Sequence, residues 1–116
     1  MSEAYLASLK ASKTGRFIYD ISRFYQEFHD QYGLYGIHTH DPSALAYVID
    51  PTLFKTESGP VRVITEGIAL GQTLLDRRQR WQGSHAWTDI PKTNVCLEVD
   101  SERLLRLYKE RITTAP

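Results

Sequence analysis

The chain has 116 residues, of which 41% are hydrophobic and 24% charged, and its fourteen basic side chains balance fourteen acidic ones. This is the composition of one folded domain, so it excludes wholesale disorder, and a net charge of zero argues against nucleic acid as a partner. No apolar run approaches the roughly 18 residues that a membrane span needs, so we expect no membrane partner either.

The first half of the chain is predicted to be helical. Ser2 can cap a short helix that carries Leu6 and Leu9, and Gly15 is expected to end or interrupt it. A second helix of about 16 residues is predicted from apolar side chains at helical spacing, and Gly33 is placed to stop it. These apolar side chains are Phe17, Ile18, Ile21, Phe24, Tyr25 and Phe28.

A third helix is predicted to begin at Asp41-Pro42. The Asp41 carboxylate can accept hydrogen bonds from first-turn amides, and Pro42 fits the first helical position. Asp50-Pro51 should end this helix, because proline disfavours helical geometry in the residue before it.

The second half is predicted to form strands at 61–65 and 94–99, with a weaker strand at 69–75, and then a final helix from Ser101. Cys96, the only cysteine, excludes an intramolecular disulfide and fits a reducing, cytoplasmic setting; its place in an apolar strand predicts a buried, inert thiol. Two or three strands are too few to close a hydrophobic core, and the aromatic face of the second helix has no predicted element to pack against. We therefore expect the chain to be part of a larger folding unit.

The densest cluster of reactive side chains is the segment 36–42, with His38, His40 and Asp41. His38 and His40 share a face if the segment is extended. Imidazole and carboxylate groups suit a metal site or a proton donor near neutral pH. The alternative is that Asp41 is a helix cap and the histidines are ordinary loop residues.

Aromatic residues supply further candidates. Tyr25 and His29 are four apart on one predicted helix, so they are neighbours and can line a pocket that faces His40. The alternative is a core tyrosine and a surface histidine. Trp81 and Trp87 can stack on a ring-shaped ligand or anchor the loop 77–93.

Several segments together resemble the inosine-uridine preferring nucleoside hydrolases, in particular the plant-type uridine nucleosidases. The His-Asp-Pro segment of that family is similar to GIHTHDPSALAYVIDPTLF. The family's helix before that segment is similar to LKASKTGRFIYDISRFYQEFH. Its strand pair is similar to VRVITEGIALGQTLLDRRQRWQGSHAWTD, and its closing strand and helix are similar to TNVCLEVDSERLLRLYKERI. The resemblance covers nearly the whole chain.

The resemblance implies an α/β fold: the C-terminal part of an open sheet with flanking helices. It also implies cleavage of the N-glycosidic bond of purine or pyrimidine ribonucleosides, with calcium as cofactor. By resemblance, Asp41 is a calcium ligand, His40 is the general acid, and Tyr25 and His29 bind substrate. The family's aspartate-rich motif, which supplies most calcium ligands, has no counterpart among the scattered aspartates of this sequence.

We therefore expect residues 1–116 to be the C-terminal region of a nucleoside hydrolase-like domain, inactive by itself. The expected partners are a ribonucleoside, the N-terminal region and further copies of the chain in a homo-oligomer. The alternative is a non-catalytic remnant that acts as an oligomerising or partner-binding module.

Overall fold

The computed structural model describes residues 1–78 and 86–114 and divides the chain into two units. The helical unit comprises Met1–Leu53 with Asp100–Pro116, and the sheet unit is Phe54–Val99. Helices come first, a short antiparallel sheet follows and a helix ends the chain, which confirms the predicted α/β class. None of the described helices is both long and apolar enough to cross a bilayer.

The helical unit begins with α1 (Glu3–Ser8), a 3₁₀ turn at Leu9–Ala11 and α2 (Lys13–Ile21). Ser2 caps α1 as predicted, because its hydroxyl accepts from the Tyr5 amide. The prediction that Gly15 ends or interrupts a helix is wrong: Gly15 lies in the first turn of α2, where Ser12 caps it. A Cβ at Gly15 would stand 1.9 Å from the Leu9 carbonyl oxygen, so the glycine serves a close backbone approach.

The predicted helix of about 16 residues is two helices, α2 and α3 (Arg23–Gln31), which meet at Ser22. The Ser22 hydroxyl donates to the Tyr19 carbonyl oxygen at 2.8 Å, and such a bond to the preceding turn often bends a helix. Helix α3 ends before Gly33, which has a positive φ of 70°, as predicted.

The apolar side chains of α2 and α3 occupy two faces instead of one. Ile18 and Tyr25 pack against the buried cluster of Leu6, Leu9 and Ile37. The other face is exposed, and we call its four side chains the exposed stripe: Phe17, Ile21, Phe24 and Phe28, with exposed fractions of 62%, 59%, 81% and 45%.

Helix α5 (Ser101–Thr114) closes the helical unit and confirms the predicted final helix. Leu104 is buried, and Tyr108 packs against the same buried cluster as Ile18 and Tyr25. The Tyr5 hydroxyl donates to the Leu105 carbonyl oxygen at 2.6 Å and so joins α1 to α5.

Helix α4 (His40–Ile49) ends at Asp50-Pro51, as predicted. A group of bonds, here called the clasp, joins the end of this segment to the start of α5. The Asp100 amide donates to the Leu53 carbonyl oxygen at 2.8 Å. The Arg103 guanidinium donates to the Asp50 carboxylate at 3.2 Å and to the Thr52 hydroxyl at 2.9 Å. The two segments of the helical unit that precede and follow the sheet unit in sequence are therefore joined to each other.

The sheet unit contains β1 (Phe54–Val63), β2 (Thr73–Leu75) and β3 (Lys92–Val99), antiparallel in the order β2-β1-β3. Each predicted strand overlaps an observed one, but the bounds differ: β1 begins at Phe54 and ends at Val63 rather than covering 61–65, and β2 begins at Thr73 rather than at 69. The prediction that Cys96 is buried is wrong: its thiol is exposed, because β3 has a described strand on one side only and most of its side chains face solvent.

Candidate functional site

Four aromatic rings of the helical unit follow one another in space. Tyr25 and His29, one turn apart on α3, have ring centroids 4.2 Å apart. His29 meets His38 edge to face at 5.3 Å, and His38 lies 5.7 Å from His40. The structure therefore brings Tyr25 and His29 together with His40, as expected from the sequence, and His38 lies between His29 and His40 in this series.

His29 is the buried member of this ring series, with 5% of its surface exposed. Its Nδ1 atom lies 2.8 Å from the Gly36 carbonyl oxygen. Because a carbonyl oxygen only accepts hydrogen bonds, we assign the ring proton to Nδ1. Its burial does not match the alternative in which His29 is a surface residue.

Gly36 has a φ of 95°, and a Cβ at this position would stand 2.4 Å from the Met1 carbonyl oxygen. The next residue, Ile37, is buried and donates its amide hydrogen to the same oxygen at 2.9 Å. The loop between α3 and α4 is therefore held from two directions, by His29 and by the first residue of the chain.

His40 and Asp41 lie at the start of α4, with both side chains exposed. The helix begins two residues earlier than predicted: Thr39 is the N-cap and His40 the first helical residue, so Asp41 is not the cap. Among residues 1–78 and 86–114, no hydrogen bond or ion pair engages the Asp41 carboxylate, which leaves it available to a ligand. Its place in the first turn favours a negative charge, because the helix amides there carry partial positive charge.

Two further residues shape the site. His38, a member of the reactive cluster predicted from sequence but without a role of its own there, links the rings of His29 and His40. The Ser43 hydroxyl, which was not among the predicted groups, donates to the Thr39 carbonyl oxygen at the start of α4. Nothing in the sequence pattern indicates Ser43.

Next to Asp41, a groove of about 490 Å³ runs between α4 and α5. Its lining is mostly apolar and includes Pro42, Leu45, Ile49, Leu104, Tyr108 and Ile112. A nucleoside needs several hydrogen-bonding partners, so this groove is a surface for apolar packing rather than a complete substrate pocket.

The described residues do not fit a calcium ion as a complete site. Calcium takes six to eight oxygen ligands, and within the two described ranges no three His, Cys, Asp or Glu side chains are grouped so as to hold a metal ion. Asp41 can offer one carboxylate, and the remaining ligands would have to come from elsewhere.

The tryptophan candidates belong to the sheet unit. Trp87 is half-buried, and the Arg62 guanidinium lies over its ring at 5.9 Å from the centroid, as expected for a loop anchor. Trp81 lies outside the described residues.

The sequence profile of the inosine-uridine preferring nucleoside hydrolases matches residues 1–106, and the chain belongs to this family. Uridine nucleosidase 1 of Arabidopsis thaliana is 37% identical over 102 residues, which is 86% of this chain and 30% of that protein. The inosine-uridine preferring nucleoside hydrolase of Leishmania major is 43% identical over 58 residues, 49% of this chain and 17% of that one.

Solved structures of nucleoside hydrolases share the fold. A plant nucleoside hydrolase superposes with a TM-score of 0.91 at 34% identity, over 99% of this chain and 37% of that chain. A purine-preferring ribonucleoside hydrolase from Gardnerella vaginalis gives a TM-score of 0.75 at 29% identity, over 97% and 35%. The chain thus spans about a third of the length of these relatives.

Proposed function

We propose that the chain is the C-terminal part of a nucleoside N-ribohydrolase that cleaves purine or pyrimidine ribonucleosides to ribose and free base. The observation that carries the proposal is the exposed His40-Asp41 pair at the start of α4, within a segment that matches the family profile. The relatives' names support the substrate class, since they include uridine nucleosidases and purine-preferring and inosine-uridine preferring hydrolases.

In this proposal His40 donates the proton to the departing base. The C1′–N bond breaks and its electron pair goes to the base nitrogen, which takes the proton from His40. A water oxygen then bonds to C1′ and the water releases its proton to solvent, from which His40 regains the proton that it gave to the base. Proton donation matters because the ribosyl transition state resembles an oxocarbenium ion and the base is a poor leaving group.

The other site residues have supporting roles. Tyr25 is partly buried in the ring series and is proposed to contact the base. His29 can meet a substrate only with the ring edge that is not engaged by Gly36. Asp41 is proposed to give one carboxylate to a calcium ion whose other ligands lie outside this chain, so no step is derived through the metal.

Compartment and partners complete the proposal. The exposed thiol of Cys96 is compatible with a reducing, cytoplasmic compartment. The proposed partners are the ribonucleoside and the remaining two-thirds of the family fold.

A chimera tests the function. The matching part of the plant nucleoside hydrolase is replaced by this chain, and release of free base from uridine and inosine is measured. We expect turnover in the chimera and none in the chain alone. A chimera that folds and binds calcium but releases no base would contradict the proposal, and turnover by the chain alone would show that the catalytic groups all lie within it.

The exposed stripe favours a second candidate function, an oligomerising or partner-binding module. Four large apolar side chains at spacings of four, three and four residues leave an uncovered face on α2 and α3. A chimera without activity, together with a stable oligomer of the chain in sedimentation, would favour this candidate.

A further inference from the structure

Three of the four histidines of the chain meet at one place, but only one of them is buried. His38 and His40 are exposed, whereas His29 has 5% of its surface exposed. A buried imidazole costs free energy unless its polar atoms are bonded, so its presence in α3 requires a compensating contact.

The first contact is the hydrogen bond from His29 Nδ1 to the Gly36 carbonyl oxygen. This bond crosses from α3 to the loop that leads into α4. The Leu34 amide donates to the His29 carbonyl oxygen at 3.1 Å, so both the backbone and the side chain of His29 hold the same loop. His38 follows Gly36 by only two residues, so the loop conformation sets where its ring stands.

The second contact is between rings. The His29 imidazole lies between Tyr25, at 4.2 Å, and His38, at 5.3 Å. It therefore supports the His38 ring from the protein side, and His38 in turn lies 5.7 Å from His40.

We propose that His29 is a positioning residue: it fixes the His38 and His40 rings through the loop and through ring packing, and it does not act by touching the substrate. The effect on catalysis rests on the proposed function, in which His40 is the proton donor. The positioning itself is a property of this chain and is measurable without activity.

Two substitutions separate the two contacts. His29→Asn retains an N–H donor at the position of Nδ1 and loses the ring, whereas His29→Phe retains a ring and loses the donor. Glu27→Gln, an exposed change on the same helix, is the matched control.

The first readout is nuclear magnetic resonance of the chain labelled with ¹⁵N. We expect His29 in the Nδ1–H tautomer in the unaltered chain. In His29→Phe, the Ile37 amide should exchange about five-fold faster, from the loss of one hydrogen bond of about 1 kcal/mol, and the His38 and His40 ring signals should move. In His29→Asn, exchange at Ile37 should be close to that of the unaltered chain, while the His38 ring signals move.

Two results of this experiment would overturn the proposal. One is an Nε2–H tautomer at His29. The other is that the ring signals of His38 and His40 do not move in either His29 variant. In the control Glu27→Gln, these signals are expected not to move. If His29→Phe does not fold, the tautomer of His29 in the unaltered chain and the spectrum of His29→Asn still test the proposal.

The second readout is the chimera described above. We expect His29→Phe to lower kcat at least ten-fold with little change in KM, and His29→Asn to restore part of that loss. A rise in KM alone in both variants would mean that His29 contacts the substrate, contrary to the proposal. A chimera that carries the unaltered chain and is inactive would contradict the proposed function. The positioning role would still hold if the His38 and His40 signals of the chain moved in the His29 variants as expected.

Discussion

At the scale of single residues, His40 and Asp41 are adjacent but have different surroundings. His40 has a ring neighbour, His38, whereas among the described residues the Asp41 side chain has no bonded partner. In the proposed reaction they also act on different groups: His40 on the departing base, and Asp41 on a calcium ion. A substitution at each should therefore have a different dependence on the leaving group.

We expect His40→Ala in the chimera to lower kcat for uridine by about 10²–10⁴-fold, which is the usual effect of losing a general acid. The loss should shrink for a nitrophenyl riboside, because its leaving group is stable as an anion. Asp41→Ala is the matched control and should impair both substrates alike. Equal losses for both substrates in His40→Ala would remove the proton-donor role.

Part of this site was predictable from sequence. The contact of Tyr25 with His29 follows from their separation by one helical turn, and the structure has it. The link through His38 was not predictable, because it depends on a loop whose course is set by the positive φ of Gly36 and its packing against Met1. The N-cap was predicted two residues late, since Asp-Pro is a common helix start and Thr39 makes no side-chain capping bond.

At the scale of elements, α1 is fixed to α5 by the Tyr5 hydroxyl. Burial raises the pKa of Tyr5 to about 12, while an unfolded tyrosine titrates near 10. Folding therefore favours the protonated phenol. The resulting stabilisation is fully present below pH 10 and is lost as the pH rises from about 10 to 12.

We expect Tyr5→Phe to lower the free energy of unfolding by about 0.5–1.5 kcal/mol near neutral pH, through loss of the bond to Leu105. The difference between the two proteins should narrow above pH 10, because only the unaltered chain has this phenol to ionise. Urea unfolding of both proteins between pH 7 and 11.5 measures this difference in the free energy of unfolding. A difference in the free energy of unfolding that widens as the pH rises would show that folding does not raise the pKa of Tyr5.

The elements themselves were largely predictable, but their faces were not. Apolar spacing located α2 and α3, yet it could not tell Ile18 and Tyr25, which pack inward, from Phe17 and Phe24, which face solvent. All are apolar, and the choice depends on which tertiary neighbours are present. The interruption at Ser22 was missed because apolar spacing carries no sign of a side-chain bond such as that from Ser22 to Tyr19.

At the scale of the whole molecule, the exposed stripe predicts how the chain behaves by itself. Phe24 is 81% exposed, so Phe24→Glu should change the free energy of unfolding by no more than about 0.5 kcal/mol. It should also reduce binding of a hydrophobic dye and any self-association. Leu6→Ala, at a fully buried site, is the contrasting control and should cost about 2–5 kcal/mol. A destabilisation of similar size in Phe24→Glu would mean that the stripe is already covered.

The chain alone should not bind calcium tightly, because calcium needs six to eight oxygen ligands and no three metal-binding side chains are grouped among residues 1–78 and 86–114. Calorimetric titration should show no binding in the micromolar range, whereas the chimera should bind calcium and lose affinity in Asp41→Asn. Micromolar affinity of the chain alone would reveal a complete site within its 116 residues.

The clasp bears on how this family can change its length. The Asp100 amide and the Leu53 carbonyl oxygen meet at 2.8 Å, so the chain leaves the helical unit and returns to it at one point. For a flexible loop, doubling the length adds only about 0.6 kcal/mol of closure entropy, so the loops that join the strands of the sheet unit can lengthen at little cost. Insertions and deletions among relatives should therefore accumulate between Phe54 and Val99, while Asp50, Thr52 and Arg103, which hold the crossing point, should vary little.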